Sequence, residues 1–313
     1  MDTLTKPISA PRRRTTADTV YPILLLVSVT HLLNDMMQSV IPAVYPLLKA
    51  KFGFSFAQIG LITLVFQMTS SILQPFVGRY ADRHPRPYSL AAGMCFTLAG
   101  LFALALAPGF APILLAVALI GWGSSIFHPE SSRVAQLASG GRKGLAQSIF
   151  QVGGNAGSAF GPLLAALVVI PYGQTSIMWF APAALLAIGI LLRIGNWYKR
   201  QLNAATAAPV TATAAAAELP RRKIRRALLI LTVLVFSKYF YIACMTNYFT
   251  FFLMDKFAFS VQDAQYSLFA FLAASAAGTV IGGPLGDRIG RKYVIWGSIL
   301  GAAPFALMLP YAG

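Results

Sequence analysis

The apolar positions of this chain come in long unbroken stretches, not in alternation with polar ones. They lie near 21–48, 57–79, 88–107, 111–137, 145–170, 175–197, 227–254, 264–286 and 293–310. A bilayer core about 30 Å thick is crossed by about 20 apolar helical residues, and each stretch supplies them. A transmembrane barrel would instead show short alternating segments. In lipid, a helix satisfies its own backbone hydrogen bonds. The pattern therefore predicts an all-α membrane protein with nine spans. One long interval, 199–226, is Ala/Thr-rich and then basic, without apolar periodicity. It is predicted to be a flexible cytoplasmic linker. The predicted organisation is a cytoplasmic tail over 1–20, a six-helix bundle over 21–198, the linker, and a partial second bundle over 227–313.

Composition strengthens this reading. Of 313 residues, 57% are hydrophobic and only 11% charged, against about 25% charged in a soluble domain. The net charge of +16 could suggest a nucleic-acid partner, but the charges are sorted by side of the membrane. Lys6, Arg12, Arg13, Arg14, Arg79, Arg83, Arg86, Arg142 and Lys143 fall on one side, with Lys199, Arg200, Arg221, Arg222, Lys223, Arg225, Arg226, Arg288, Arg291 and Lys292. The other side has Lys49, Lys51 and Lys256. Positive loops stay in the cytoplasm, so the N-terminus is expected inside, in an inner (plasma) membrane of bacterial type. Nucleic acid is set aside as a partner, and the bilayer takes its place. Residues 1–19 are polar and basic and lack the pattern of a cleavable signal peptide. Cys95 and Cys244 sit in apolar runs and read as packing thiols. No metal site and no cofactor is expected, since metal-ligand spacing such as H-E-x-x-H is missing.

The segments flanking the linker repeat each other. Lys51-Phe52-Gly53-Phe54-Ser55 matches Lys256-Phe257-Ala258-Phe259-Ser260. At the same offset, Gly78-Arg79-Tyr80-Ala81-Asp82-Arg83 faces Gly283-Pro284-Leu285-Gly286-Asp287-Arg288, and the second copy continues Ile289-Gly290-Arg291-Lys292. Pro85 and Pro87 replace Gly290 and Lys292 in the first copy. The copies are six spans apart and run the same way, which is a parallel repeat. Small residues at Gly78 and Gly283 permit close helix approach. Asp82 and Asp287 beside basic residues can form charge-assisted bonds across a short loop, a latch for one conformation.

With these motifs, the chain resembles the major facilitator superfamily. The resemblance rests on His31-Leu32-Leu33-Asn34-Asp35, on Phe127-His128-Pro129-Glu130-Ser131-Ser132-Arg133, on Gln147 to Asn155, and on Phe236-Ser237-Lys238-Tyr239-Phe240-Tyr241. It covers essentially all of the chain after residue 20. It implies a twelve-helix fold of two parallel six-helix repeats, of which nine helices are present and about three would lie beyond Gly313. The chain is accordingly expected to be cut short at its C-terminus. The resemblance also implies a monomer and proton-driven export of an anionic phosphonate antibiotic.

Ionisable residues inside spans cost about 2.5–3.5 kcal/mol to insert and are functional candidates. His31, Asn34, Asp35 and Gln38 share one helical face, as do Gln67, Ser70, Ser71 and Gln74, and Gln147, Gln151, Asn155 and Ser158. Three polar stripes imply a shared water-filled cavity, or else hydrogen-bonded glue between helices. Asp35 and Glu130 are the carboxylates well inside spans and the first candidates for carrying a proton, with His31 and His128 beside them. Burial and a nearby cation act oppositely on a carboxyl group's proton affinity, so a moving partner makes protonation depend on conformation. A static Glu130–Arg133 pair is the alternative. His128 lies two residues from Glu130, about 200° around a helix, and so faces elsewhere. Arg133 and Lys238 are the cationic candidates for an anionic substrate, with Lys238 snorkelling to the interface as its alternative and Tyr241 on the same side. Asn34, Gln38, Gln147, Gln151 and Asn155 complete the proposed binding set. Import of a small organic anion fits the same residues. An intramembrane hydrolase or a non-transporting receptor fits them less well.

Overall fold

A computed structural model of the chain describes residues 18–206 and 221–311, leaving out the side chains of 205, 206, Arg221, Gly283, Pro284, Asp287 and Arg291. The described residues form helices and no strands. Nine of these helical segments are long and apolar enough to cross a membrane. They are α1 (Tyr21–Phe52), α2 (Phe56–Arg83), α3 (Ser89–Leu106), α4 (Phe110–Leu137), α5 (Lys143–Tyr172), α6 (Gln174–Ala204), α7 (Arg222–Phe257), α8 (Val261–Gly282) and α9 (Lys292–Tyr311). The spans read from the sequence match these within a few residues at most ends.

The linker was drawn too long. The helix of α6 continues to Thr206 and that of α7 begins at Arg221. The Arg, Lys and Ala residues at these ends are strong helix formers, so the helices extend beyond their apolar stretches. The centre of the interval, 207–220, and the tail 1–17 lie outside the described residues.

The main core lies among α1 to α6. Its tightest seam joins α1 to α5. Gly153, Gly157 and Gly161 stand one turn apart on α5 and meet the α1 backbone and side chains at Ser28, Leu32 and Ser39. Small residues spaced four apart let two backbones touch. The contact is then bonded: Ser28 donates to the Ile149 carbonyl at 2.7 Å, and Ser39 to the Gly157 carbonyl at 3.4 Å. A second seam joins α3 to α4, where Gly93 faces the Gly123 carbonyl. Pro129 lies inside an unbroken α4. Two π turns interrupt α2 at Met68–Ile72 and α5 at Ala165–Val169. Cys95 and Cys244 do not pack in this core. Both are exposed free thiols, on the outer surface of their helices.

The internal repeat is visible in backbone geometry. Gly53 and Ala258 occupy equivalent positions and both adopt the left-handed region, at φ 68° and 54°. Ser55 then caps α2 by accepting from the Gln58 N–H, and Ser260 caps α8 by accepting from the Asp263 N–H. The two halves also bond to each other at this end of the molecule. Thr63 donates to Asn247 at 3.0 Å, Gln265 to the Ala43 carbonyl at 2.8 Å, and Gln262 to the Ala166 carbonyl at 3.3 Å. All of these bonds lie on the Lys49 side, away from the arginine-rich loops.

Two stability predictions follow from this geometry. Ala258→Gly should stabilise the protein and Gly53→Ala destabilise it, each by about 1 kcal/mol, because a side chain in the left-handed region is strained. Thermal unfolding in detergent checks the opposite signs. Gly157→Val should cost about 1–3 kcal/mol by overpacking, whereas Gly189→Val, whose Cβ would meet open space, should unfold close to the parent.

Candidate functional site

Two polar clusters sit within the spans, and they share helix α4. The first joins α1, α4 and α5. Phe150 stacks on the His31 ring at 3.9 Å between centroids and 15° between planes. The Phe150 carbonyl lies 2.7 Å from His31 Nδ1. One turn on from His31, Asp35 places Oδ2 at 3.2 Å from His31 Nε2 and Oδ1 at 3.7 Å from His128 Nε2. Asn34 Nδ2 donates to Asp35 Oδ1 at 3.0 Å. Asn34 Oδ1 and Gln38 Nε2 are buried without a hydrogen-bond partner. The His31, Asp35 and His128 donor atoms all lie within 4.8 Å of one another.

The second cluster joins α2, α3 and α4 near the arginine-rich side. Glu130 is almost fully buried, at 1% exposure. Arg133 Nη1 donates to Glu130 Oε1 at 2.8 Å and to the Ala81 carbonyl at 2.9 Å. Its other terminal nitrogen reaches the Gly78 carbonyl at 3.4 Å and the Asp82 carboxylate. Ser89 Oγ donates to Glu130 Oε2 at 3.3 Å. Arg133 thus satisfies two carbonyls at the end of α2 as well as two carboxylates. An open cavity of about 760 Å³ lies beside it, lined in part by Ser71, Gln74, Gly78, Asp82 and Pro129.

The placement of the sequence candidates follows. His128 and Glu130 belong to different clusters, as their spacing requires. Both terminal nitrogens of Arg133 are engaged. The residue is held by the latch motif of the first repeat, because Asp82 bonds across to α4 and not along its own loop. Arg83 is exposed. Gln151 donates to Asn155 at 3.1 Å, and Ser132 of α4 to Gln147 at 3.2 Å, so the α5 stripe is bonded partly within itself and partly to α4. The α2 stripe splits. The π turn puts Gln67 and Ser71 on an exposed side, bonded to each other, while Ser70 is buried. Lys238 is exposed, with its ammonium 5.4 Å from the Tyr239 ring, and among the described residues no hydrogen bond or ion pair joins it to either cluster. Tyr241 is half-buried, edge-on to Phe271. In the second latch copy Arg288 is exposed and Gly290 ends its helix at φ 100°, while the side chains of Gly283, Asp287 and Arg291 lie outside the described residues. Ser89 and the Phe150 carbonyl are not signalled by the sequence, since neither residue type names its partner, one span away for Ser89 and four spans away for Phe150.

Comparison with known proteins fits this arrangement. A sequence profile described as Major Facilitator Superfamily matches residues 27–313. The chain belongs to this superfamily. It is a family of transporters, and the chain is a multi-pass membrane protein. It is 59% identical over 308 residues to the Fosmidomycin resistance protein of Escherichia coli (strain K12), covering 98% of this chain and 75% of that one. It is 44% identical over 311 residues to the uncharacterized MFS-type transporter YfnC of Bacillus subtilis (strain 168), covering 98% and 76%. Among solved structures, a bacterial homolog of the human lysosomal transporter Spinster, in an inward-facing and occupied conformation, matches with TM-score 0.66 at 17% identity, covering 88% of this chain and 63% of that one. A D-xylose-proton symporter matches at 0.63 and 16%, covering 88% and 71%. The chain therefore spans about three quarters of its curated relatives and under two thirds of the Spinster homolog. At such identities these structures speak for the fold alone.

The Arg133 network makes a ranked prediction. Arg133→Met strands a buried carboxylate and should cost about 3–5 kcal/mol, whereas Asp82→Asn removes an exposed partner and should cost less than about 1 kcal/mol. The double variant Glu130→Gln/Arg133→Met should recover part of the loss. Equal losses for Arg133→Met and Asp82→Asn, measured by thermal unfolding, would show that Asp82 rather than Glu130 is what Arg133 chiefly serves.

Proposed function

We propose that this chain is the greater part of a secondary active transporter that exports fosmidomycin or similar small anionic drugs in exchange for protons. The observation that carries the reading is the 59% identity, over nearly the whole chain, to a fosmidomycin resistance protein. The geometry supports it. Charged and amide side chains on α1, α4 and α5 face one another inside apolar spans, where a purely structural membrane protein would gain nothing from their insertion cost. The bonds between the two halves lie on the side with few basic residues, which supports loading from the arginine-rich, cytoplasmic face, as export requires. Arg133 and Asp82 bind α4 to the end of α2 and would brace the first half as one body. The carriers of the proton are to be sought among Asp35, Glu130, His31 and His128. The protein would lie in the inner membrane with its N-terminus in the cytoplasm and act as a monomer.

The test is growth of a drug-sensitive bacterium under fosmidomycin. The chain is expressed as it stands and joined to the part of the Escherichia coli relative that it does not match. Protection by the joined protein, abolished by a proton uncoupler, is the expected result. A joined protein that inserts well and gives no protection overturns the substrate. Protection indifferent to the uncoupler overturns the proton exchange.

A further inference from the structure

The first cluster offers a second use for side chains that the export reading counts among its proton candidates. The Phe150 carbonyl can only accept, so His31 Nδ1, 2.7 Å away, bears the hydrogen. A neutral His31 then turns the Nε2 lone pair toward Asp35 Oδ2 at 3.2 Å. His128 Nε2 approaches the other carboxylate oxygen at 3.7 Å. A proton on either imidazole can bridge one ring to one carboxylate oxygen, whereas a metal ion can take all three side chains at once, and their donor atoms lie within 4.8 Å of one another.

Spacing and ligand type suit a metal ion. In tetrahedral zinc sites, bonds of about 2.0–2.2 Å put neighbouring donor atoms about 3.3 Å apart. Asp35 stands at a similar spacing from both rings, Oδ2 at 3.2 Å from His31 and Oδ1 at 3.7 Å from His128, and one donor atom from each residue lies within 4.8 Å of the other two. Two imidazoles and a carboxylate select borderline divalent ions over calcium or magnesium. The surroundings are those of a ligand set already oriented. The Phe150 carbonyl fixes the tautomer of His31, as outer partners of metal-bound imidazoles do, and the Phe150 ring fixes its plane. Asn34 Nδ2 holds Asp35. Gly154 backs directly onto Asp35 and the His31 ring, where a Cβ would come within 2.9 Å of Asp35 Oδ2. Asn34 Oδ1 is buried without a partner. His128 keeps 26% exposure and Asp35 17%, which leaves a way in.

We propose that His31, Asp35 and His128 form a binding site for a borderline divalent cation such as Zn²⁺ or Co²⁺, with a fourth position open to water or an anionic oxygen. A bound ion would tie α1 to α4, which meet here through Asp35 and His128.

Untagged full chain in detergent, stripped with chelator, is titrated with Co²⁺ followed by visible absorption and with Zn²⁺ followed by calorimetry. Saturation at a single ion per chain and the d–d band of tetrahedral Co²⁺ are expected. His128→Ala, checked for unchanged helix content and unfolding temperature, should weaken binding by at least about 10–100-fold, the range already seen for losing an outer partner. His128→Cys should keep binding and add a thiolate-to-cobalt charge-transfer band. His84→Ala, removing the exposed histidine at the end of α2, should change nothing. No saturable binding, or binding that survives His128→Ala, overturns the site. The readout is metal and not drug protection, so this proposal and the export reading fail independently.

Discussion

Lipid offers no hydrogen bonds, and every polar group placed in a span must find its partner inside the protein. The architecture between the helices follows from that constraint. Ser28 and Ser39 of α1 bond to carbonyls of α5, where bare contact of glycines has brought the backbones together. Arg133 occupies the carbonyls left open at the end of α2 and at the same time neutralises Glu130. Gln265 reaches across the two halves to the Ala43 carbonyl. Arg133 in particular is committed to more than one job, bonding two helices and keeping a buried charge paired.

This explains why the two clusters share α4. Its residues 128 and 130 point to different neighbours, His128 to α1 and Glu130 to α2 and α3. One helix therefore links a site at the α1–α5 seam to the latch at the arginine-rich end. A movement of α4 relative to α2 would reach the first cluster directly, with no intermediary other than the helix itself.

Much of this was legible in the chain. Spans follow from run length, and the repeat from two matched motifs, down to the left-handed residue and serine cap that each copy keeps at Gly53–Ser55 and Ala258–Ser260. The pairing of Glu130 with Arg133 and the divergence of His128 follow from helical spacing alone. What failed were contacts between helices. The contact of Arg133 with Asp82 was not legible, because nothing in the sequence says that the two face each other. The cysteines read as packed because an apolar run does not tell an exposed face of a helix from a buried one. The α2 stripe was drawn with a regular period that the Met68–Ile72 turn breaks. The convergence of His31 and Asp35 with His128 depends on tertiary packing, whereas the His31–Asp35 step of one turn was visible.

The π turn of α2 has a consequence for how such a chain can vary. A π turn holds one extra residue without an extra hydrogen-bonded step, so the helix beyond it is rotated by about 100° relative to an uninterrupted α-helix. Residues 56–67, which face the second half of the molecule through Thr63, and residues 74–83, which carry Asp82 to Arg133, are thereby phased separately. The helix behaves as two rods on one shaft, joined by a coupling whose setting is a single residue. Losing that residue would leave both rods helical and equally apolar while turning Asp82 away from α4. The identity of the latch is thus stored in a count of residues as much as in their kinds.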